Sequence, residues 1–235
     1  MKYQRFGDMI LTDKIETIRP LRVLVACEYS GRVRDAFAKL GHDATSCDLL
    51  PTESAGKHYT GNVFDIINDG WDLMIAHPPC TYLSYAGIGW FNEEKYGEKA
   101  RERKVKRDEA MRFFEQLYAA PIKKICIENP VGWANSHFRK PDQIIQPFHF
   151  GDNFIKRTCL WTRGLPKLVY SESDNLFEQK NTVDPEYYFI SSGSNYRSNK
   201  MSVGKEKRDQ KERSITFPGI ANAMAEQWGG KVTFT

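Results

Sequence analysis

The sequence lacks a paired-cysteine motif. Its five cysteines, Cys27, Cys47, Cys80, Cys126 and Cys159, are odd in number and widely spaced, with no C-x-x-C pair. That argues against a disulfide framework and against a zinc site, and leaves reduced thiols of which at least one is potentially reactive. No apolar run approaches the roughly eighteen residues that a membrane-spanning helix needs. The first twenty residues lack the basic region, apolar core and small-residue cleavage site of a secretory signal, so a cytoplasmic location is expected. Internal repeats and long low-complexity tracts are absent as well. Glycine is sparse where a dinucleotide site would need it: Gly31 stands alone in place of a G-x-G-x-x-G fingerprint, which excludes an ordinary NAD site. A dominant charge is also lacking, since 34 basic against 30 acidic residues leave a net charge of +4. The positive charge is concentrated in polar segments, however, and its distribution says more than its sum.

What is present fits one sizeable α/β core with a small appendage, because 40% of 235 residues are hydrophobic and 27% charged. Residues 1–20 show no periodicity and read as an N-terminal extension. From Leu21 the run LRVLVAC has strand length and strand composition. It leads through Glu28-Tyr29-Ser30-Gly31 into RVRDAFAKLGH, where Val33, Phe37 and Leu40 share a helical face and Gly41 is a stop. DATSCDLL reads as a second strand containing Asp48, placed where dinucleotide-type folds put an acidic residue on ribose hydroxyls. GNVFDI reads as a short strand or turn ending near Asp65. Glu28, Asp48 and Asp65 thus close successive strand-like segments. Helix capping and turn chemistry are the alternative uses for each carboxylate.

The chain is organised around Asp72–Ser84, DLMIAHPPCTYLS. Leu73 to Ala76 form a short apolar run expected to be a buried parallel strand, and the sequence breaks at His77-Pro78-Pro79-Cys80. Neither proline can donate a ladder hydrogen bond, and their fixed φ angles stiffen the loop that holds Cys80. Ligands of open α/β sheets bind outside the carboxyl ends of strands, so a thiol there is placed for chemistry. A cysteine merely buried after a tight turn is the alternative.

Residues 85–108 read as a loop leading into the charged start of a long helix. Arg101, Arg103, Lys104, Lys106 and Arg107 are taken there as a solvated face, or alternatively as a nucleic-acid contact. The helix continues through EAMRFFEQLYAA with an apolar stripe of Met111, Phe114, Leu117 and Tyr118, and Pro121 follows. KKICIENP is the next strand, closing on Glu128-Asn129-Pro130, and KRTCLWTRGLPKL another. The organisation expected is an extension (1–20), a catalytic domain (21–166), a small basic loop-rich insertion (167–212) and a C-terminal segment (213–235) that completes the domain with the helical GIANAMAEQWG. The insertion carries Tyr187, Tyr188, Phe189 and Tyr196 among Lys and Arg, as suits a phosphate-contacting arm or a flexible linker.

A rigid cysteine and a proline-stiffened carboxylate on neighbouring strand ends suit covalent catalysis on a pyrimidine ring. Carbon 5 of cytosine is a poor nucleophile. A thiolate adding to carbon 6, with an acid at ring nitrogen 3, turns it into an enamine. Cys80 is then the nucleophile and Glu128 the acid, its pKa expected to be raised in a partly desolvated pocket.

These residues resemble the cytosine-5 DNA methyltransferase family, in a short form similar to methylases encoded by bacteriophages. Pro78-Pro79-Cys80 resembles the family's Pro-Pro-Cys motif, and Glu128-Asn129 its Glu-Asn-Val motif with Pro130 in place of valine. CEYSGRVRDAFAKLG, residues 27–41, resembles the first cofactor motif, and Gly219–Met224 is similar to the Gly-Asn-Ala-Val motif. The resemblance implies a Rossmann-like fold, S-adenosylmethionine as cofactor, DNA with a flipped cytosine as partner, and no metal. It implies cofactor contacts from Glu28, Tyr29, Ser30, Gly31, Asp48 on the ribose, Asp65 near the adenine amino group, Pro78 and Asn222. Arg157 is favoured as the arginine that contacts the cytosine, in a segment only faintly like the family's Gln-x-Arg-x-Arg. His77 stands where the family usually has glycine. RNA or a free pyrimidine nucleotide as substrate, and a nucleic-acid-binding protein without turnover, are the competing expectations.

Overall fold

Side chains alternate faces along a strand, so a strand that is apolar at every position must be covered on both sides. The computed structural model, which describes residues 19–170, 182–185, 187–189, 204–206 and 214–232, shows this for the two central strands. In chain order the elements are β1 (Arg22–Ala26), α1 (Arg32–Lys39), β2 (Asp43–Asp48), β3 (His58–Thr60), β4 (Leu73–Ala76), α2 (Glu93–Tyr96), α3 (Glu98–Tyr118), β5 (Lys124–Pro130), α4 (Ala134–His137), β6 (Gln143–Ile145), β7 (Phe154–Ile155), β8 (Thr158–Arg163), β9 (Tyr187–Phe189), β10 (Gly204–Glu206) and α5 (Pro218–Met224). Val23 and Val25 of β1 with Leu73 and Ile75 of β4 face α1 and α5, meeting Val33, Phe37, Ile220 and Met224. Leu24, Met74 and Ala76, with Ile125 and Ile127 of β5, face α3 through Met111, Phe114 and Leu117. Trp161 of β8 closes that second layer, edge-on to Phe114 at 5.1 Å.

The main sheet has seven strands in the order β3-β2-β1-β4-β5-β8-β6. It is mostly parallel, with β8 antiparallel to both β5 and β6. Strands β3-β2-β1-β4-β5 follow the common doubly wound order, whose reversal between β1 and β4 opens a crevice at the carboxyl ends of the strands. A second sheet of three strands has the order β10-β9-β7. No helix among the described residues is long and apolar enough to cross a membrane.

Several expectations need correction. Cys27 does not extend β1; it leaves the strand with φ 59°, the one non-glycine residue at positive φ among those described. Of the two readings of GNVFDI, strand or turn, the turn is the one that forms. The strand lies just before it at His58–Thr60, and Val63–Asp65 is a single 3-10 turn capped by the Asn62 side chain, whose amide oxygen accepts from Phe64 N–H. The long helix ends at Tyr118, before Pro121, and the preceding loop is itself built, with a 3-10 segment over Tyr85–Phe91 and α2 after it. The arginine run is not simply a solvated face. Arg101 and Lys104 pair with Glu93 and Glu98, but Arg103 and Arg107 turn inward onto aromatic rings. Of the expected extension only Arg19 and Pro20 are described, and of the insertion only 167–170, 182–185, 187–189 and 204–206; Tyr196 lies outside the described residues.

Candidate active site

Because β8 runs against β5, its start returns to the carboxyl end of the sheet: Thr158 pairs with Pro130, Cys159 with Asn129 and Leu160 with Glu128. The ends of β1, β2, β4 and β5 and the beginning of β8 therefore share one rim.

Cys80 stands on this rim, three residues beyond the backbone N–H of His77, which donates to Ala26 O at 2.9 Å as the last rung between β4 and β1. Pro78 is buried, Pro79 and Cys80 exposed. The turn is braced on both sides of the thiol. Asn129 Nδ2 donates to Pro78 O at 2.7 Å. The Cys80 carbonyl accepts from Leu83 N and Ser84 N at 3.1 and 2.9 Å. Arg103 Nη2 donates to Thr81 O at 3.0 Å while its guanidinium lies over Tyr82 and Phe91. Further along, Trp133 N donates to Leu83 O at 2.6 Å, and a Cβ at Gly132 would collide with that same carbonyl. Arg107 lies 3.5 Å from the centre of the Trp133 ring, which stacks on His137 in turn.

The other four cysteines are less accessible. Cys47, Cys126 and Cys159 are buried and Cys27 half-buried. Burial pushes every one of these thiols up: Cys47 to about 11, with Asp48 and Asp65 adding to the effect, and Cys27 still further, again with help from Asp48. Cys126 and Cys159 are shifted the same way, for Cys159 despite the hydrogen bond from Asn135. A thiol so raised is a poor nucleophile at neutral pH, which leaves Cys80 as the exposed one of the five.

Glu128 is nearly enclosed. Its Oε2 lies 3.0 Å from His77 Nδ1, with the two side chains 12% and 8% exposed. Burial pushes the carboxyl up, but the His77 hydrogen bond and the charges of Lys156 and His77 outweigh it, so its pKa lies below the ordinary value. The expected upward shift is thus reversed, because His77 reaches across from the end of β4 to the carboxylate.

The neighbouring crevice end is shaped by Glu28. Its buried carboxylate accepts from Val33 N at 2.7 Å and Arg34 N at 3.2 Å, satisfying the first turn of α1, and Ser30 Oγ approaches at 3.4 Å. Gly31 has φ 74°, and a Cβ there would collide with Ser54 Oγ and the Arg34 guanidinium. Arg34 of α1, itself buried, donates to Ser46 of β2 and to Thr52, Ser54 and Ala55 of the loop beyond it. Asp48 Oδ1 accepts from Leu50 N at 2.9 Å at the end of β2, and the exposed Asp65 accepts from Tyr59 OH at 3.0 Å. Tyr29 OH meets Ser214 Oγ at 3.0 Å, tying the C-terminal segment to this turn. Asp152 Oδ2 accepts from Gly219 N at 2.9 Å at the start of α5.

The structure thus brings the Cys80 turn, Glu128, His77 and Asn129 together, and sets Glu28, Ser30 and Gly31 around the first turn of α1. Arg157 and Asn222 are exposed, Arg157 just before β8 on the shared rim and Asn222 on α5. Neither makes a hydrogen bond to Cys80 or Glu128 among the described residues. Sequence reasoning missed the bracing roles of Asn129, Arg103 and Arg107. An arginine pair at i, i+4 following Tyr82 and Phe91 was the available signal. No group of three or more His, Cys, Asp or Glu side chains among the described residues is placed to hold a metal ion.

The doubly wound sheet with a crevice at its carboxyl rim defines a Rossmann-like α/β class. Against known proteins, no family model matches the chain and no curated protein matches it. Among solved structures it is similar to a methyltransferase of Entamoeba histolytica, EhMeth, at 14% identity and a TM-score of 0.42, over 71% of this chain. The chain spans 58% of the length of that protein.

Proposed function

We propose that this chain is a methyltransferase of Rossmann-like fold that transfers a methyl group from S-adenosylmethionine to carbon 5 of cytosine in DNA, through a covalent adduct with Cys80. The observation that carries the reading is the exposed Cys80 on its braced double-proline turn, one strand away from the enclosed carboxylate of Glu128.

The residues present suit the cofactor. Gly31, at φ 74°, lets the chain turn tightly into α1 beyond the carboxyl end of β1. Asp48 offers a carboxylate to ribose hydroxyls at the end of β2, and the exposed Leu49 and Leu50 beside it offer apolar surface to a ring. When bound, S-adenosylmethionine supplies an electrophilic methyl group. The protein does the rest: the Cys80 thiolate adds to carbon 6, and the displaced electron pair makes carbon 5 nucleophilic while Glu128 serves ring nitrogen 3. After methyl transfer a water molecule takes the carbon 5 proton, and the electron pair of that C–H bond re-forms the carbon 5–carbon 6 double bond as the thiolate leaves. The cytosine must leave its stack, at a cost of a few kcal/mol that pocket and backbone contacts offset.

The test is mass spectrometry of nucleosides digested from DNA, RNA and free cytidine nucleotides after incubation with the protein and S-adenosylmethionine carrying a deuterated methyl group. Labelled 5-methyldeoxycytidine from the DNA arm is the expected product. Label only in the RNA or nucleotide arm keeps the chemistry and changes the substrate; cofactor binding with no product in any arm leaves a binding protein.

A further inference from the structure

We propose that His77 is a positioning residue that holds the proton delivered to the substrate ring through Glu128, an inference that rests on the cytosine reading above.

Its placement is unusually determined. The backbone of His77 is held between the rung to Ala26 O and the rigid Pro78, and its ring points Nδ1 at Glu128 Oε2 at 3.0 Å. The side chain is 8% exposed, and its other nitrogen, Nε2, is buried with no partner among the described residues. Glu128 is therefore the one described protein group hydrogen-bonded to the ring of His77. A carboxylate has two oxygens; with Oε2 on His77, Oε1 is left to meet the base.

Glu128 cannot be its own proton source if it rests ionised, and the balance of burial against His77 and Lys156 favours that state. The pair solves this together. In its protonated form, imidazolium and carboxylate, the Nδ1 proton passes to the carboxyl and leaves a neutral imidazole. A half-turn of the carboxyl about its soft terminal torsion brings that proton to ring nitrogen 3 as the thiolate adds to carbon 6. When the thiolate departs, the proton returns from nitrogen 3 to the carboxyl and from there to Nδ1. No external acid or oxidant enters, and the pair ends as it began.

The other groups acting on Glu128 or on its neighbours are Lys156 from the turn before β8, Cys126 on β5 itself and Cys159 on β8, with Asp142 acting on Cys126 and Arg157 on Cys159. Burial keeps both thiols protonated near neutrality. His77 is thus the group in direct hydrogen-bond contact with Glu128 that can hand it a proton.

The experiment is single-turnover methyl transfer to cytosine-containing DNA between about pH 5.5 and about pH 9. The wild-type rate is expected to carry, beside the rise that thiolate formation at Cys80 brings, a falling limb at high pH where the His77–Glu128 pair has lost its proton. His77→Asn keeps an N–H near the Nδ1 position but cannot carry the proton; it should be slower by about 100-fold, with that pH limb removed. S-adenosylmethionine affinity, measured by calorimetry on the same variant, should be unchanged, which separates this loss from misfolding. As a second measurement, nitrogen-15 spectra of the wild-type histidines should show the His77 signal shifting in Glu128→Gln. Wild-type turnover with the same pH limb in His77→Asn, or a His77 signal indifferent to Glu128→Gln, overturns the role of His77 and leaves the cytosine reading standing. Absence of methylation by the wild type at every pH removes that reading and the inference with it.

Discussion

Asn129 Nδ2 donates to the carbonyl of Pro78 at 2.7 Å, so the end of β5 grips the turn that carries Cys80. Both partners are buried, and a proline carbonyl has no alternative donor in its own strand once the ladder has ended. Asn129→Ala should cost about 1–3 kcal/mol, the range for stranding a buried polar group. Asn129→Asp should cost more, since it sets a carboxylate against a carbonyl. Urea unfolding checks both values. Midpoints equal to the wild type in the two variants would show that the turn does not depend on this bond.

Native-state alkylation distinguishes the cysteines. Exposed Cys80 should be modified by iodoacetamide at least about tenfold faster than Cys47, Cys126 or Cys159, whose burial lowers both access and thiolate fraction. Peptide mass spectrometry over a time course reads the order, and early modification of any buried cysteine would count against the assignment. On a DNA substrate containing 5-fluorocytosine, a cofactor-dependent adduct that survives denaturation should map to Cys80 and be lost in Cys80→Ala.

Gly31→Ala tests the first turn. A φ of 74° is costly for alanine, about 1–3 kcal/mol, and the new methyl would press on Ser54 and Arg34. A protein that stays folded but binds S-adenosylmethionine at least about tenfold more weakly is the expected result, read by calorimetry. Full affinity would mean that the turn is not part of the cofactor cradle.

Acid should destabilise the fold through a few identifiable carboxylates. Glu128 lies below its ordinary pKa for the reasons given above. Asp142 does too: burial pushes it up, but the Arg139 side chain and the Thr162 N–H outweigh that. A carboxyl depressed in the native state contributes stability that is fully present above its unfolded pKa, about 4, and is lost as pH falls through its native value. The unfolding midpoint should therefore be level near neutrality and fall below about pH 4. Asp142→Asn should flatten that fall while lowering the neutral-pH midpoint. An unchanged acid slope would assign the loss to other groups.

Strand and helix periodicity were legible where burial leaves a one-dimensional record. Leu73–Ala76 is apolar at every position because both faces of β4 are covered, and Val33 and Phe37 repeat at helical spacing because one face of α1 is. The double proline likewise announced the strand end before Cys80, since proline removes the donor that the next rung requires. Turns near the first crevice were less legible. Cys27 continues the apolar pattern of β1 and yet leaves the strand at φ 59°, a backbone conformation that its side chain does not announce.

The α/β alternation, the two-sided core strands and the stiff setting of Cys80 depend on neighbours a few positions away and could be read along the chain. The direction of β8, the partnership of His77 with Glu128 across 51 positions and the grip of Asn129 on Pro78 arise only once distant segments meet. Folding also reversed the charge expectation at Glu128. Burial alone, which an apolar strand foretells, would favour the neutral acid; the group that opposes it comes from another strand, and electrostatics follows distance in space, not separation along the chain.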